Sequence, residues 1–288
     1  MPVGLPALPA ESELAALGFA NPIELGGGHQ SRVLAVDSDA GRFAVKLSHS
    51  DHVNRGVLDR RMQTVEALAR VNASVVAPTR VCGQLVTRTG DWLVTVVPLV
   101  AGSHPDPSNV ADSTAMGATL AELHASLRGL SNRDLPRLAP LQATGDTRAF
   151  ASLGPDQLLH GDFNSTNIFL TGAGPRILDF DDCGYGPFEF DVANTLYMVL
   201  FDSLTRDAVG LVYEDFRSAF LEGYSSKAGH RPQDSTLDSL IDARVRALER
   251  WVANPAKAPV GVRMSGDPWL EVLRRFVDEW NKADPTFR

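Results

Sequence analysis

The sequence predicts an α+β chain in two lobes: a small N-terminal antiparallel sheet carrying one helix, residues 1–98, and a larger, mainly helical C-terminal lobe, residues 99–288. Three observations predict it. Short strand-like runs broken by glycine turns fill the first third of the chain. A polar, Pro-containing stretch interrupts it near residue 100. Beyond that point apolar residues recur at spacings of three and four. An apolar content of 44% over 288 residues is enough for real cores.

The elements follow in chain order. Pro22 to Gly28, Ser31 to Asp37 and Arg42 to Leu47 read as three strands, with turns at Gly26-Gly27-Gly28 and Asp39-Ala40-Gly41. Arg55 to Val71 has helical composition, and Thr79 to Thr87 and Asp91 to Val97 supply two further strands. Val97 to Gly102 then runs into Ser103-His104-Pro105-Asp106-Pro107, the composition shift that marks the lobe boundary. Met116, Leu120, Leu123, Leu127 and Leu130 form one face of a long helix ending near Gly129, with His124 packed inside it. Val192 to Asp202, Ala208 to Tyr224, Leu237 to Ala253 and Pro268 to Lys282 read as further helices, and Ile241, Val245, Leu248 and Val252 keep the helical period of core packing.

The formal charge of −8, from 35 acidic and 27 basic residues, offers no basic stripe for nucleic acid and favours a cationic ligand over an anionic one. No apolar run approaches a bilayer span, and Met1 to Glu11 has neither a basic flank nor a continuous apolar stretch, so a soluble cytoplasmic protein without membrane contact is expected. Cys82 and Cys183 stand far apart with no metal-binding spacing around them and are expected to be reduced thiols.

The chemistry concentrates in His160-Gly161-Asp162-Phe163-Asn164-Ser165-Thr166-Asn167 and in Leu178-Asp179-Phe180-Asp181-Asp182. A carboxylate is followed five residues on by an amide, and a hairpin of Ile168-Phe169-Leu170 and Arg176-Ile177-Leu178 then delivers a second carboxylate. That order suits metal-assisted phosphoryl transfer: Asp162 as the base that orients a hydroxyl and takes its proton, Asn167 and Asp179 as oxygen ligands of Mg²⁺, His160 as scaffold. A polar loop before an ordinary hairpin would explain the strands but not the acidic and amide groups at both of its ends.

On His-x-Asp-x-x-x-x-Asn at His160 to Asn167, on Leu178-Asp179-Phe180-Asp181 and on Asp191-Val192-Ala193, the chain resembles the aminoglycoside phosphotransferase and choline kinase family, relatives of the protein kinases. The likeness extends more weakly from about Leu25 to Tyr224. It implies a two-lobed kinase fold, with residues 1–98 binding nucleotide and residues 99–288 holding the catalytic groups and the acceptor. ATP and Mg²⁺ are the implied cofactors and a small molecule with a hydroxyl group the implied partner. The glycine-rich phrase with Gly27, Gly28 and Ser31 would lie against the phosphates, where glycines let backbone N–H groups approach an anion, although a plain hairpin turn reads equally well. Lys46, closing the strand Phe43-Ala44-Val45-Lys46, would reach the α- and β-phosphates. Glu66 is the helical glutamate available to pair with it, at an offset that fits poorly. Adenine would meet main-chain groups near Val97 to Val100, Val97 and Leu99 among them. Asp191 would either brace the catalytic loop or simply cap the helix that follows.

The departures from the protein-kinase pattern narrow the acceptor. Gly161 stands where a protein kinase has Arg, Asp181 stands where it has Gly, and only eleven residues separate Asp179 from Asp191, too few for a regulated activation segment. A small acceptor is therefore expected: an aminoglycoside-type or other cationic antibiotic, with a metabolite such as homoserine, choline or a thiosugar as the alternative. A non-catalytic nucleotide-binding module is a third reading, disfavoured by the intact set. Asp181 and Asp182 would attract a cationic group on the acceptor, or Asp181 would support the metal, and Tyr185, Glu189, Tyr213, Arg244 and Trp251 are candidates for the acceptor site.

Overall fold

The computed structural model describes residues 7–26, 31–131, 134–138, 153–205, 210–258 and 266–282. Five antiparallel strands form the N-terminal sheet: β1 Ala20–Gly26, β2 Ser31–Ser38, β3 Gly41–His49, β4 Thr87–Thr89 and β5 Trp92–Pro98, in the order β1-β2-β3-β5-β4. Alternation along β3 decides what this sheet does. Phe43, Val45 and Leu47 turn to one face, where they pack with Leu34, Val36, Val94 and Val96 and with Leu14 of helix α1, Glu11–Ala16. Ala44 and Lys46 are thereby turned to the opposite face, toward the C-terminal lobe. Helix α2, Arg55–Ala69, covers that second face with Leu58, Met62, Val65 and Leu68, and these merge with the C-terminal core.

Three boundaries differ from expectation, one of them the helix expected from Val192, which already starts at Phe188. The strand expected over Thr79 to Thr87 does not form, and β4 begins only at Thr87, because Cys82 (φ 49°) and Gly83 (φ 79°) make a left-handed turn that closes Val81 onto Gln84. The helix expected from Ala208 starts at Tyr213, behind Gly210 at φ 82°. Residues 27 and 28, at the end of the first expected strand, lie outside the described residues.

The C-terminal lobe holds α3 Val110–Arg128, α4 Phe188–Thr205, α5 Tyr213–Ala228, α6 Asp234–Ala253 and α7 Gly266–Lys282. Helices α3 and α5 touch backbone to backbone at two glycines: a Cβ on Gly117 would lie 1.9 Å from the Phe220 carbonyl oxygen, and one on Gly223 would lie 2.0 Å from that of Thr114. Against this helical body lie two small ribbons, β6 Gln157–Leu159 with β9 Gly184–Gly186, and β7 Ile168–Thr171 with β8 Gly174–Ile177. Among the described residues no helix is long and apolar enough to cross a membrane.

Candidate active site

The two short ribbons place the chemistry. Strand β6 runs straight into His160, and Leu159 pairs with Gly184, so the segment 160–167 and the segment 178–183 leave the same ribbon side by side. The β7–β8 hairpin, Ile168 opposite Ile177, then brings their far ends together, and the Leu178 N–H donates to the Asn167 carbonyl at 2.9 Å. Asn167 and Asp179, twelve residues apart in sequence, thus stand at the open end of one hairpin.

Buried polar groups lock these loops. Asp191, fully buried inside the first turn of α4, accepts the backbone N–H of His160 at 2.8 Å and of Gly161 at 2.9 Å, while His124 stands 3.2 Å from the same carboxylate. Of its two readings, the brace is the one observed, since Asp191 lies within the helix and not at its cap. His160 is also fully buried. Its Nδ1 accepts from the Asp162 N–H at 3.3 Å, which leaves Nε2–H to donate to the Leu178 carbonyl at 2.9 Å and tie the two loops together. It packs 4.4 Å, ring to ring, on Phe180.

Asp162 ends up between two amides. Asn167 Nδ2 donates to the Asp162 carbonyl at 2.8 Å and lies 3.3 Å from Oδ2; Asn194 Nδ2 lies 3.4 Å from Oδ1. Asp179 has a left-handed backbone, φ 60°, an uncommon state for a non-glycine residue that costs of order 1–3 kcal/mol and that only a surrounding structure can impose. It aims the carboxylate at Lys46, whose Nζ lies 2.7 Å from both Asp179 oxygens and 2.9 Å from Asp181 Oδ2. Burial works against this ammonium, but the Asp181 and Asp179 charges outweigh it and hold the Lys46 pKa above its ordinary value. Burial likewise opposes the Asp179 charge, and Lys46 reverses the sign, so that carboxyl sits below its ordinary value. Asp182 is raised, first by crowding of protein around it and then by the Asp162 carboxylate, with the Arg61 charge opposing, although the residue is exposed.

Above these groups lies a cavity of about 230 Å³ between the lobes, walled by Val33, Ala44, Val97 and Phe169 and closed at its polar end by Lys46, Asn167 and Asp179. An apolar slot with a few convergent polar groups is the usual form of a small-ligand site. Ser31 opens β2, while Gly27 and Gly28 lie outside the described residues. The Leu99 N–H is engaged by the Arg42 carbonyl at 3.0 Å.

The pairing expected between Glu66 and Lys46 is absent. Helical spacing turns Leu58, Met62 and Val65 inward, and Met62 and Val65 line the cavity beside Lys46. Glu66, next along, faces outward and holds Arg80 bidentately at 2.8 and 2.9 Å. What α2 does send to the site is Arg61, which donates to the carbonyls of Cys183, at 2.8 Å, and Asp181. Of the acceptor candidates, Arg244 of α6 reaches the site, donating to Asn194 Oδ1. Tyr213 instead lines a separate cavity with Arg217, and Trp251 and Tyr185 pack against the core. Reasoning from sequence missed Arg61 and Asn194; the latter had a signal, since it follows Asp191 by three residues on the same helical face.

The family model described as the phosphotransferase enzyme family matches residues 22–233. The chain belongs to the phosphotransferase enzyme family. The phosphotransferase resembles several solved structures in fold. An amicoumacin kinase in complex with AMP-PNP, Ca²⁺ and Ami superposes with a TM-score of 0.71 at 18% identity, over 94% of this chain and 92% of that one. An aminoglycoside phosphotransferase from Alicyclobacillus acidocaldarius gives 0.62 at 14% identity, over 97% and 94%. A choline kinase from Cryptosporidium parvum gives 0.60 at 9% identity, over 91% and 88%. A search of curated sequences returned no significant match.

Proposed function

We propose that this phosphotransferase moves the γ-phosphate of ATP to a hydroxyl of a small molecule in a Mg²⁺-dependent reaction, with residues 1–98 carrying the nucleotide and residues 99–288 the base, the metal ligands and the acceptor. The observation that carries the reading is the convergence of Lys46, Asn167 and Asp179, from three separate stretches of chain, at the polar end of one apolar slot, with Asp162 held 3.3 Å from the Asn167 amide beside it. Asp162 is the base: its carboxylate is within reach of the slot and already oriented on both oxygens.

The donor set fits Mg²⁺. Asn167 uses its Nδ2 on Asp162, which leaves the amide oxygen to present beside the Asp179 carboxylate, and two hard oxygen donors with water and phosphate making up the rest is how Mg²⁺ is usually held. Among the described residues no trio of His, Cys, Asp or Glu forms an all-protein metal cage, in keeping with a site completed by nucleotide. A cation there would neutralise the charge developing on the transferring phosphoryl group. Lys46 would hold the phosphates beside it. The adenine would meet the edge of β5: with the Leu99 N–H engaged by Arg42, strand alternation leaves the Pro98 carbonyl and the Val100 N–H on the free edge.

The acceptor is a small alcohol bearing a positive charge. Asp181 is committed to Lys46, so Asp182, exposed, close to Asp162 and only partly offset by the Arg61 charge, is the group left to meet an ammonium. Relatives named for amicoumacin, aminopropanol, aminoglycosides and choline support two classes of candidate for that alcohol, an antibiotic and a metabolite. The test is Mg·ATP-dependent ADP release with kanamycin, choline, L-homoserine and 1-amino-2-propanol, in wild type and Asp162→Asn. Loss of the base should cost about 10²- to 10⁴-fold in turnover with nucleotide affinity little changed. Wild-type turnover in Asp162→Asn would remove the base from Asp162.

A further inference from the structure

Asn194 is 1% exposed, and a buried amide must place both its donors and its acceptor. Its Nδ2 faces Asp162 Oδ1 at 3.4 Å, and its Oδ1 accepts from Arg244 Nη1. This orientation admits no flip. A carboxylate only accepts and a guanidinium only donates, so turning the amide over would set oxygen against oxygen and N–H against N–H. Arg244 is held in turn. Its guanidinium carbon lies 4.4 Å over the ring centre of Tyr197, which follows Asn194 by three residues on α4. The other oxygen of Asp162 lies 3.3 Å from Asn167 Nδ2.

We infer that Arg244 and Asn194 are positioning residues for phosphoryl transfer: Arg244 fixes the Asn194 amide, and that amide fixes the Asp162 carboxylate so that its free lone pairs face the acceptor hydroxyl. The two amides grip opposite oxygens of the base, Asn167 from the hairpin and Asn194 from the helical body. Long contacts of this kind in a ligand-free site tighten in the reacting complex. Arg244 therefore acts through Asn194. The inference rests on Asp162 being the base.

The experiment measures ADP release at saturating Mg·ATP with the fastest acceptor of kanamycin, choline, L-homoserine and 1-amino-2-propanol, or acceptor-free ATP hydrolysis if none is used. Asn194→Asp keeps the size and the Arg244 contact but has no N–H to give. Its kcat should fall roughly 10- to 100-fold, the scale of a misplaced catalytic group, with KM for ATP unchanged. Arg244→Met should lower kcat about 10-fold, and Arg244→Lys should recover part of it. The deciding measurement is non-additivity: in an Asn194→Ala background Arg244→Met should cost nothing further. An undiminished further loss in that background, or a loss confined to acceptor KM, would mean that Arg244 contacts the acceptor directly and would overturn the relay. So would wild-type kcat in Asn194→Asp. Thermal unfolding of each variant separates these results from misfolding, and failure of the base assignment itself appears separately, as normal turnover in Asp162→Asn.

Discussion

Replacing Gly161 by alanine should pry apart the two loops that build the site. Gly161 has φ 88°, and a Cβ there would lie 2.3 Å from the Asp182 carbonyl oxygen and 2.7 Å from its carbon. Ordinary contact begins near 3.4 Å, so the loops must separate by about 1 Å. Gly161 has little room to retreat, because its N–H is held by Asp191 at 2.9 Å. The left-handed backbone costs an L-residue about 1–2 kcal/mol, and overpacking adds about 1–3 kcal/mol. A total of about 2–5 kcal/mol corresponds, for a domain of this size, to a fall in Tm of roughly 4–20 °C. The kinetic effect should be larger, since a displacement of about 1 Å at a catalytic group costs on the order of 10²-fold. Differential scanning calorimetry and Mg·ATP-dependent ADP release measure the two losses. A Gly161→Ala protein with Tm and kcat within the range of a neutral surface substitution, about 0.5 kcal/mol, would refute the reasoning. The same geometry accounts for the absence of the protein-kinase Arg at this position: no side chain fits against the Asp182 backbone.

Three further outcomes are expected. Glu66→Gln should leave kcat and the KM for ATP unchanged, because its carboxylate serves Arg80; a loss of turnover would return Glu66 to Lys46. Lys46→Met should be less stable than wild type by an amount that is steady through neutral pH and shrinks in acid. The depressed Asp179 carboxyl contributes stability above its ordinary pKa of about 3.9 and loses it as pH falls through the lower folded value, so urea titrations of both proteins that stay parallel below pH 4 would contradict the pairing. Ellman's reagent at pH 8 should find one thiol in the native protein and two in denaturant, since Cys82 is exposed while burial pushes Cys183 up to about 12; two rapid native equivalents would place Cys183 at the surface.

The N-terminal sheet was legible where side chains alternate, as in Phe43, Val45 and Leu47, because a half-buried strand leaves that period in the sequence. Thr79 to Thr87 has the same composition without the geometry. A left-handed Cys82 cannot be read from a cysteine, which gives no hint of a turn. The proximity of the candidate residues was legible because most of them are local: one hairpin fixes Asn167 against Asp179, and both are named by their spacing from Asp162. Asp191 reaches the loop from farther away, yet its place at the start of a helix kept both of its readings in view.

The partner of Lys46 was not legible, and the reason lies in how distant segments meet. A glutamate on α2 faces the cleft only if it falls in register with Leu58, Met62 and Val65; Glu66 is one residue out, and Met62 fills the inward position. The acid is instead supplied by the loop that holds Asp179. An ammonium left unpaired on losing Asp179 to a bound cation would be costly in so crowded a place. Asp181, 2.9 Å away, would keep it paired if Asp179 turned toward a metal as proposed. Helix α2 has then lost the ion pair that would tie it to the site, and Arg61 restores the tie through the carbonyls of Asp181 and Cys183. A carbonyl is indifferent to the side chain that follows it. This link therefore leaves no mark on residues 181–183, and its only trace in the sequence is an arginine on the inward flank of an otherwise apolar helical face.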